Sequence, residues 1–293
     1  MAEKHFASKR FAEKSQRVLI YVILSVVSVV WLLPFVYLIF QSFVNYADSS
    51  VIDTTKFFPL TADAYTANNY KELFTNDNTP FLLWWFNTFL IAFATAGLQT
   101  VLVLMTAYAL SRLRFTGRKA LMKLILILGM FPGFLGMLVN YYILTLLGLN
   151  TSIFSLIIVY IASSAMSYYV AKGFFDTVPK SLDEAVMIDG GSKNTVFWRI
   201  ILPLSKPIII YTILVSFTGP WGDYMFGSFI AGSSKEITAS NYTVAVGLSQ
   251  ITDASQFGVF CAGAVLVSIP ITALFFWLQR YYVEGIAGGA VKG

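Results

Sequence analysis

A chain of 293 residues that is 57% hydrophobic and only 12% charged, with a mean hydropathy of +0.71, is not a water-soluble enzyme. Soluble domains carry about 25% charged residues, and half that leaves too little charge to cover a wetted surface. One His (His5) and one Cys (Cys261) exclude an internal disulfide and an imidazole–thiolate metal cluster, so neither a metal site nor a catalytic residue is expected.

In chain order, the first element is a basic tail, residues 1–17, ahead of an apolar stretch from Val18 to Phe40. A secretory h-region is about 7–15 residues and ends at a small-residue cleavage site. This stretch is longer and runs into Gln41-Ser42-Phe43, which predicts an uncleaved first helix. A bilayer core about 30 Å thick needs roughly 20 apolar residues at 1.5 Å each. Segments 18–40, 86–110, 120–142, 153–175, 208–230 and 257–279 qualify, predicting an all-α membrane protein with six transmembrane helices. They are apolar on every side, against the alternation of a β-barrel. The six-helix membrane body is thus 18–281, and 282–293 forms a closing tail. The loop of residues 41–85 carries Asp48, Asp53, Asp63, Glu72 and Asp77 and reads as a small ordered cap, with Trp84-Trp85 at the membrane interface.

Lys and Arg set the orientation. Five lie in the N-terminal tail, five between Arg112 and Lys123, five between Lys172 and Lys206, and Arg280 and Lys292 follow, so 17 of 20 share one side against Lys56, Lys71 and Lys235. The positive-inside rule places that side, and both termini, in the cytoplasm. The net charge of +5 is therefore topology and no nucleic acid is expected as a partner.

The cytoplasmic loop 176–207 reads as a helix–turn–helix. Ser181-Leu182-Asp183-Glu184 has the spacing of a capping box. Leu182, Ala185, Val186 and Asp189 share a face of the helix that follows, and Gly190-Gly191 stops it. Ser192 is placed to cap a second helix, in which Val196 pairs with Ile200 and Phe197 with Ile201 before Pro203 and Pro207 end it. The apolar stripe needs a partner to bury it.

Glu184-Ala185-Val186, three residues, Gly190, nine residues, then Ile200-x-Leu202-Pro203 resembles the EAA loop of binding-protein-dependent ABC importer permeases. The only departure is Val186, where that family usually has Ala. Six spans, a long first outer loop and the tail from Tyr282 to Gly293 further resemble the smaller permease of the maltose/maltodextrin type. The resemblance implies a type I ABC importer permease fold with a cytoplasmic EAA coupling loop. Glu184 would pair with an ATPase arginine, Gly190 would form the turn, Ala185 and Val186 the packing surface, and Asp189, Ile200, Leu202 and Pro203 would complete the ATPase-coupling set. Gly289, Val291 and Lys292 would reach the interface between two ATPases. The implied partners are a second homologous permease, two copies of an ATPase, an extracellular sugar-binding protein and membrane lipid. The chain has no Gly-Lys dipeptide and so no phosphate-binding loop. No cofactor is expected on it, with ATP and Mg on the partner ATPase.

Polar groups within spans are costly and mark functional sites by default. Asp223 follows Gly219-Pro220-Trp221-Gly222, similar to the W-N-D/E of the fifth span of related sugar permeases, with Gly222 in place of Asn. Asp223, Trp221, Tyr224, Ser167 and Asn140 are the substrate-pathway candidates, against readings of Asp223 as a carboxylate satisfied by water near the outer interface and of the aromatics as packing. Loop 231–256 reads as polar and exposed, and the resemblance brings it near the binding protein. Raffinose-type or galacto-oligosaccharides stand beside maltodextrin as cargo. An ion-coupled secondary transporter is the rival from another class, and would want more intramembrane ionisable groups than Asp223.

Overall fold

The computed structural model describes residues 2–46 and 64–290, with side chains over 14–46 and 64–281. Helices dominate, and the single β-bridge among the described residues joins Val44 to Tyr65. The chain divides into two compact units, Met1–Thr75 with Ile251–Val265, and Asn76–Gln250 with Leu266–Gly293.

In the first unit, helix α1 (Ala2–Gln41) contains the expected first span, which runs Lys14–Gln41. Beyond it, Asn45 N–H bonds Ala64 C=O at 2.8 Å, and α2 (Asn68–Thr75) follows. The buried Asn69 amide donates to Ser42 C=O at 2.9 Å and Val44 C=O at 2.8 Å, which satisfies carbonyls just past the end of α1. Gly258 is obligatory there, since a Cβ would stand 2.3 Å from the Asn69 nitrogen. These contacts make an ordered cap of the described part of the first loop. Asp48, Asp53 and Asp63 fall outside the described side chains. The Ser255 backbone N–H and hydroxyl bond the Asp253 carboxylate and hold it below the usual carboxylate range.

The second unit is built on α3 (Phe81–Arg112), 32 residues or about 48 Å of helix. It is followed by α4 (Arg118–Gly129), α5 (Gly133–Leu146), α6 (Ser155–Ala162), α7 (Ala165–Thr177), α8 (Lys180–Ile188), α9 (Lys193–Val196), α10 (Leu202–Leu204), α11 (Lys206–Gly222), α12 (Met225–Ala231) and α13 (Val244–Leu248), and α14 (Phe257–Ala290) closes the chain. Helix α3 is the hub, with α11, α7 and α6 packed along it. One apolar cluster joins Val103, Leu104 and Ala107 of α3 to Phe175, Val196, Ile201 and Ile208. Another joins Ile91 to Leu144, Leu156, Val159, Phe226 and Ile230.

Three helices are long and apolar enough to cross a membrane alone, and three bent pairs raise the count to six if each pair is one span. The segments at 120–142 and 153–175, expected as unbroken helices, are not. Between α4 and α5 the axis turns by 105°, because Pro132 offers no N–H and disfavours helical geometry in Phe131 before it. Between α6 and α7 it turns by 45° at Ser163-Ser164. The segment at 208–230 is interrupted too, at Asp223 between α11 and α12.

Loop 231–256 also departs from expectation over its part in this unit. Rather than lying open, it folds onto the first turns of α3. The Trp84 indole, 1% exposed, donates to Ala239 C=O at 2.6 Å, and the Asn87 amide donates to Ser240 and Tyr242 carbonyls at 3.1 and 3.2 Å. Thr88 Oγ1 accepts Val244 N–H at 2.7 Å, and Gly247 lies so close that a Cβ would stand 2.1 Å from Trp84. Trp84 is thus core rather than interface, while Trp85 stacks on Phe89.

Candidate functional site

Helix α8 starts earlier than the capping box requires. Pro179 is the N-cap, with no side-chain bond, and Ser181 sits inside the helix. This start turns Asp183 and Val186 inward and leaves Glu184, Ala185, Met187 and Ile188 exposed, with Ile188 at 86%. Leu182 and Asp189 are also on the open side, so the inward face is Asp183/Val186 and not the Leu182/Ala185/Val186/Asp189 stripe expected. Glu184 has no hydrogen bond or ion pair among the described residues and stands free for a partner. Gly190 adopts φ +80°, and Gly191 N–H returns to Val186 C=O at 2.8 Å, the six-to-one bond of a Schellman ending.

The return limb begins as predicted, with Ser192 Oγ accepting Thr195 N–H at 3.2 Å. It then widens into a π turn over Phe197–Ile201, where Leu202 N–H reaches Phe197 C=O. Pro203 has no N–H for the Arg199 carbonyl four residues back and crowds it, and the wider turn just upstream relieves that contact. The register shift buries Val196, Phe197 and Ile201 together and half-buries Ile200 and Leu202, while Pro203 stays exposed. At Ser205 the axis bends by 79° into α11.

The hairpin is fastened to the end of α3. Tyr108 O–H donates to Lys193 C=O at 2.8 Å, and its ring lies 4.9 Å from that of Phe197. Ser111 donates to Asp176 at 2.6 Å and Lys172 to the same carboxylate at 2.5 Å. Arg112, its side chain 3% exposed, donates to Phe175 and Val178 carbonyls at 2.7 and 2.6 Å and forms an ion pair with Asp183 at 3.4 Å. The guanidinium thus occupies the α7–α8 corner, donating to carbonyls on both sides of the end of α7.

The pathway candidates do not form one site. Asp223 sits in the break between α11 and α12, where one oxygen accepts Phe226 N–H at 3.0 Å and the other the Tyr160 hydroxyl at 2.8 Å. Both oxygens therefore have protein partners, as a helix N-cap would. Trp221 is 2% exposed among Trp85 and Phe217, whereas Tyr224 is exposed. Asn140 donates to Ser163 Oγ at 3.3 Å and Gln99 to Ser164 Oγ at 2.7 Å, both at the α6–α7 break. Ser167 is half-buried nearby in sequence, and no hydrogen bond links it or Asn140 to Asp223 among the described residues.

A family profile described as binding-protein-dependent transport system inner membrane component matches residues 99–288, from the middle of α3 through the hairpin and into α14. The chain belongs to this family. The permease is 37% identical over 233 residues to the galactooligosaccharides transport system permease protein GanQ of Bacillus subtilis (strain 168), covering 78% of this chain and 81% of GanQ. It is 36% identical over 234 residues to the maltodextrin transport system permease protein MdxG of the same organism (78% and 82% covered). To the maltodextrin transport system permease protein MalD of Streptococcus pneumoniae (strain ATCC BAA-255 / R6) it is 38% identical over 232 residues (77% and 80%). Its fold matches a chain from the crystal structure of a bacterial ABC transporter involved in import of the acidic polysaccharide alginate, with TM-score 0.69, 18% identity and coverage of 92% and 98%. The permease is therefore a membrane component of an ABC importer and a transporter subunit rather than an enzyme.

Arg112 and Tyr160 are residues of the site that the sequence does not single out. In the sequence Arg112 is one more topogenic charge, and its neighbour Ser111 gives no signal. Tyr160 is indistinguishable from other aromatics until the fold sets it beside Asp223. Of the closing-tail residues, Gly289 lies in the last turn of α14, with its surroundings outside the described residues, as are Val291 and Lys292.

Proposed function

We propose that this permease forms half of the translocation pathway of an ATP-driven oligosaccharide importer and couples to a separate ATPase through residues 176–207. The observation that carries the reading is the exposed Glu184, without a hydrogen bond or ion pair among the described residues, on an α8 face whose opposite side pairs Asp183 with Arg112 of α3 and seats Val186 on the apolar cluster. In this reading Glu184 is the charged contact, Ala185 and the open side of α8 form the docking surface, Asp189 and Gly190 shape the turn, and Val186, Ile200, Leu202 and Pro203 set the hairpin's seat. A second homologous permease completes the pathway, two ATPase copies bind ATP and Mg inside, and an extracellular binding protein delivers sugar. Both termini are cytoplasmic in this reading, supported by the distribution of Lys and Arg, and Gly289, Val291 and Lys292 approach the ATPases. Six spans cross the bilayer, with α4–α5 and α6–α7 each acting as one bent span and α11 with α12 as another, while the limb from Lys193 to Leu204 stays in the cytoplasmic hairpin.

The cargo is a malto-oligosaccharide, in line with the names of MdxG and MalD, and a galacto-oligosaccharide is the second reading, favoured by GanQ. The test is uptake of labelled maltotriose or galactotriose into proteoliposomes holding the permease, its co-purifying partners and internal ATP. Accumulation of either sugar only with ATP supports the reading. Uptake driven by an ion gradient without ATP overturns it.

A further inference from the structure

We infer that Arg112 is a positioning residue that makes the 176–207 hairpin and α3 move as one body, so that events at the two ends of α3 are linked through it. The inference rests on the coupling reading above and adds the element that carries the motion into the membrane.

Three observations lead there. First, Arg112 is spent at the one corner where α3, α7 and α8 meet. Its Nη2 holds carbonyls on both sides of the α7 end at 2.7 and 2.6 Å, and its Nη1 faces Asp183, the residue just before Glu184. Second, Nε and Nη1 of Arg112 and Oδ1 of Asp183 are buried without a hydrogen bond. The ion pair stands about 0.5 Å beyond charge-assisted hydrogen-bond distance, so a small closure of α8 on α3 tightens it into a two-pronged contact. A buried charge left without its partner is costly, so the pair resists separation more than an apolar contact of the same area would. Third, the opposite end of α3 is equally committed. Trp84, Asn87 and Thr88 hold residues 239–244, one continuous helix away from Arg112. A displacement of the hairpin then has a stiff route along α3 to that loop, and the reverse also holds.

Ser111–Asp176 ties α3 to the end of α7, Lys172–Asp176 lies within α7, and Tyr108–Lys193 ties α3 to the return limb, but none of these reaches α8. Arg112 alone bridges all three helices among the described hydrogen bonds and ion pairs.

The test uses the assembled transporter, with its ATPase and binding protein, in nanodiscs. Arg112→Gln, Arg112→Lys, Asp183→Asn and Glu184→Lys are compared for ATPase activity with and without sugar-loaded binding protein. Spin labels at Leu98→Cys and Ser181→Cys, in a Cys261→Ser background, report the α3–α8 distance. With Arg112 intact the distance distribution is narrow and the same with and without ATP. Arg112→Gln broadens it and lowers stimulation by about 5- to 150-fold, leaving unstimulated ATPase activity in place. Arg112→Lys falls between the two. A distance that changes with ATP by roughly a helical turn in the intact protein overturns the inference, as does an Arg112→Gln variant with unchanged distance and stimulation. Should Glu184→Lys leave stimulation intact, the coupling reading fails, while the label distances still decide the role of Arg112.

Discussion

Gly191→Ala isolates the fit between the α8 ending and the hairpin's packed face. A Cβ built at Gly191 stands 2.5 Å from Val186 Cγ1 and 2.9 Å from the Val186 carbonyl. Apolar carbon contacts are comfortable at about 3.5–4.0 Å, so the methyl intrudes by about 1 Å. Val186 has little freedom to yield, because a β-branched side chain in a helix keeps one rotamer and this one is packed into the cluster beneath α8. Overpacking of this kind costs about 1–3 kcal/mol, or about 2–10 °C in melting temperature for a chain of this size. Val186→Ala removes the offending Cγ1 and restores the residue usual in the EAA pattern. The double variant Val186→Ala/Gly191→Ala should therefore be more stable than the sum of the singles by about 0.5–3 kcal/mol. Melting of the detergent-solubilised permease, followed by tryptophan fluorescence, measures the cycle. Strict additivity, or a Gly191→Ala variant as stable as the parent, would refute the reasoning.

Four further variants have expected outcomes. Glu184→Lys should abolish ATPase stimulation by sugar-loaded binding protein while the permease stays in the membrane at normal abundance, since Glu184 is exposed and has no hydrogen bond or ion pair among the described residues. At the α11–α12 break, Tyr160→Phe leaves a carboxylate oxygen without its donor and should cost about 1–3 kcal/mol of stability. Asp223→Asn, whose amide oxygen still accepts Phe226 N–H, should melt close to the parent and keep transport. A transport loss in Asp223→Asn without a stability loss would instead place that side chain on the sugar's route. Gly247→Ala should displace Trp84 from its 2.6 Å bond to Ala239, lowering stability and accelerating limited proteolysis of loop 231–250; an unchanged cleavage rate would contradict the fold of that loop.

Much of the site was legible because its chemistry is local. The helix stop at Gly190-Gly191 and the Ser192 cap are written in neighbouring residues, and hydropathy marks the apolar segments without any fold. The misread features depend on residues far apart in sequence. Ser181-x-x-Glu184 has capping-box spacing, but Pro179 can start the helix earlier, and the choice is settled by Asp183 finding Arg112 some 71 positions away (183 less 112). Pro132-Gly133 sits in plain view within an apolar run, yet its break is masked when hydropathy is averaged over a window. Loop 231–256 looks exposed because it is polar, whereas its backbone carbonyls are partners for Trp84 and Asn87. Asp223 carries the clearest intramembrane signal, and its Tyr160 and Phe226 partners explain how a carboxylate is held there without naming a ligand.

The most direct test of the central claim is photocrosslinking from a benzophenone amino acid at Ala185, on the open side of α8, in intact cells. The account predicts a single major product with a nucleotide-binding ATPase, lost in Glu184→Lys. Crosslinks only to lipid, to the extracellular binding protein or to nothing at all would contradict it.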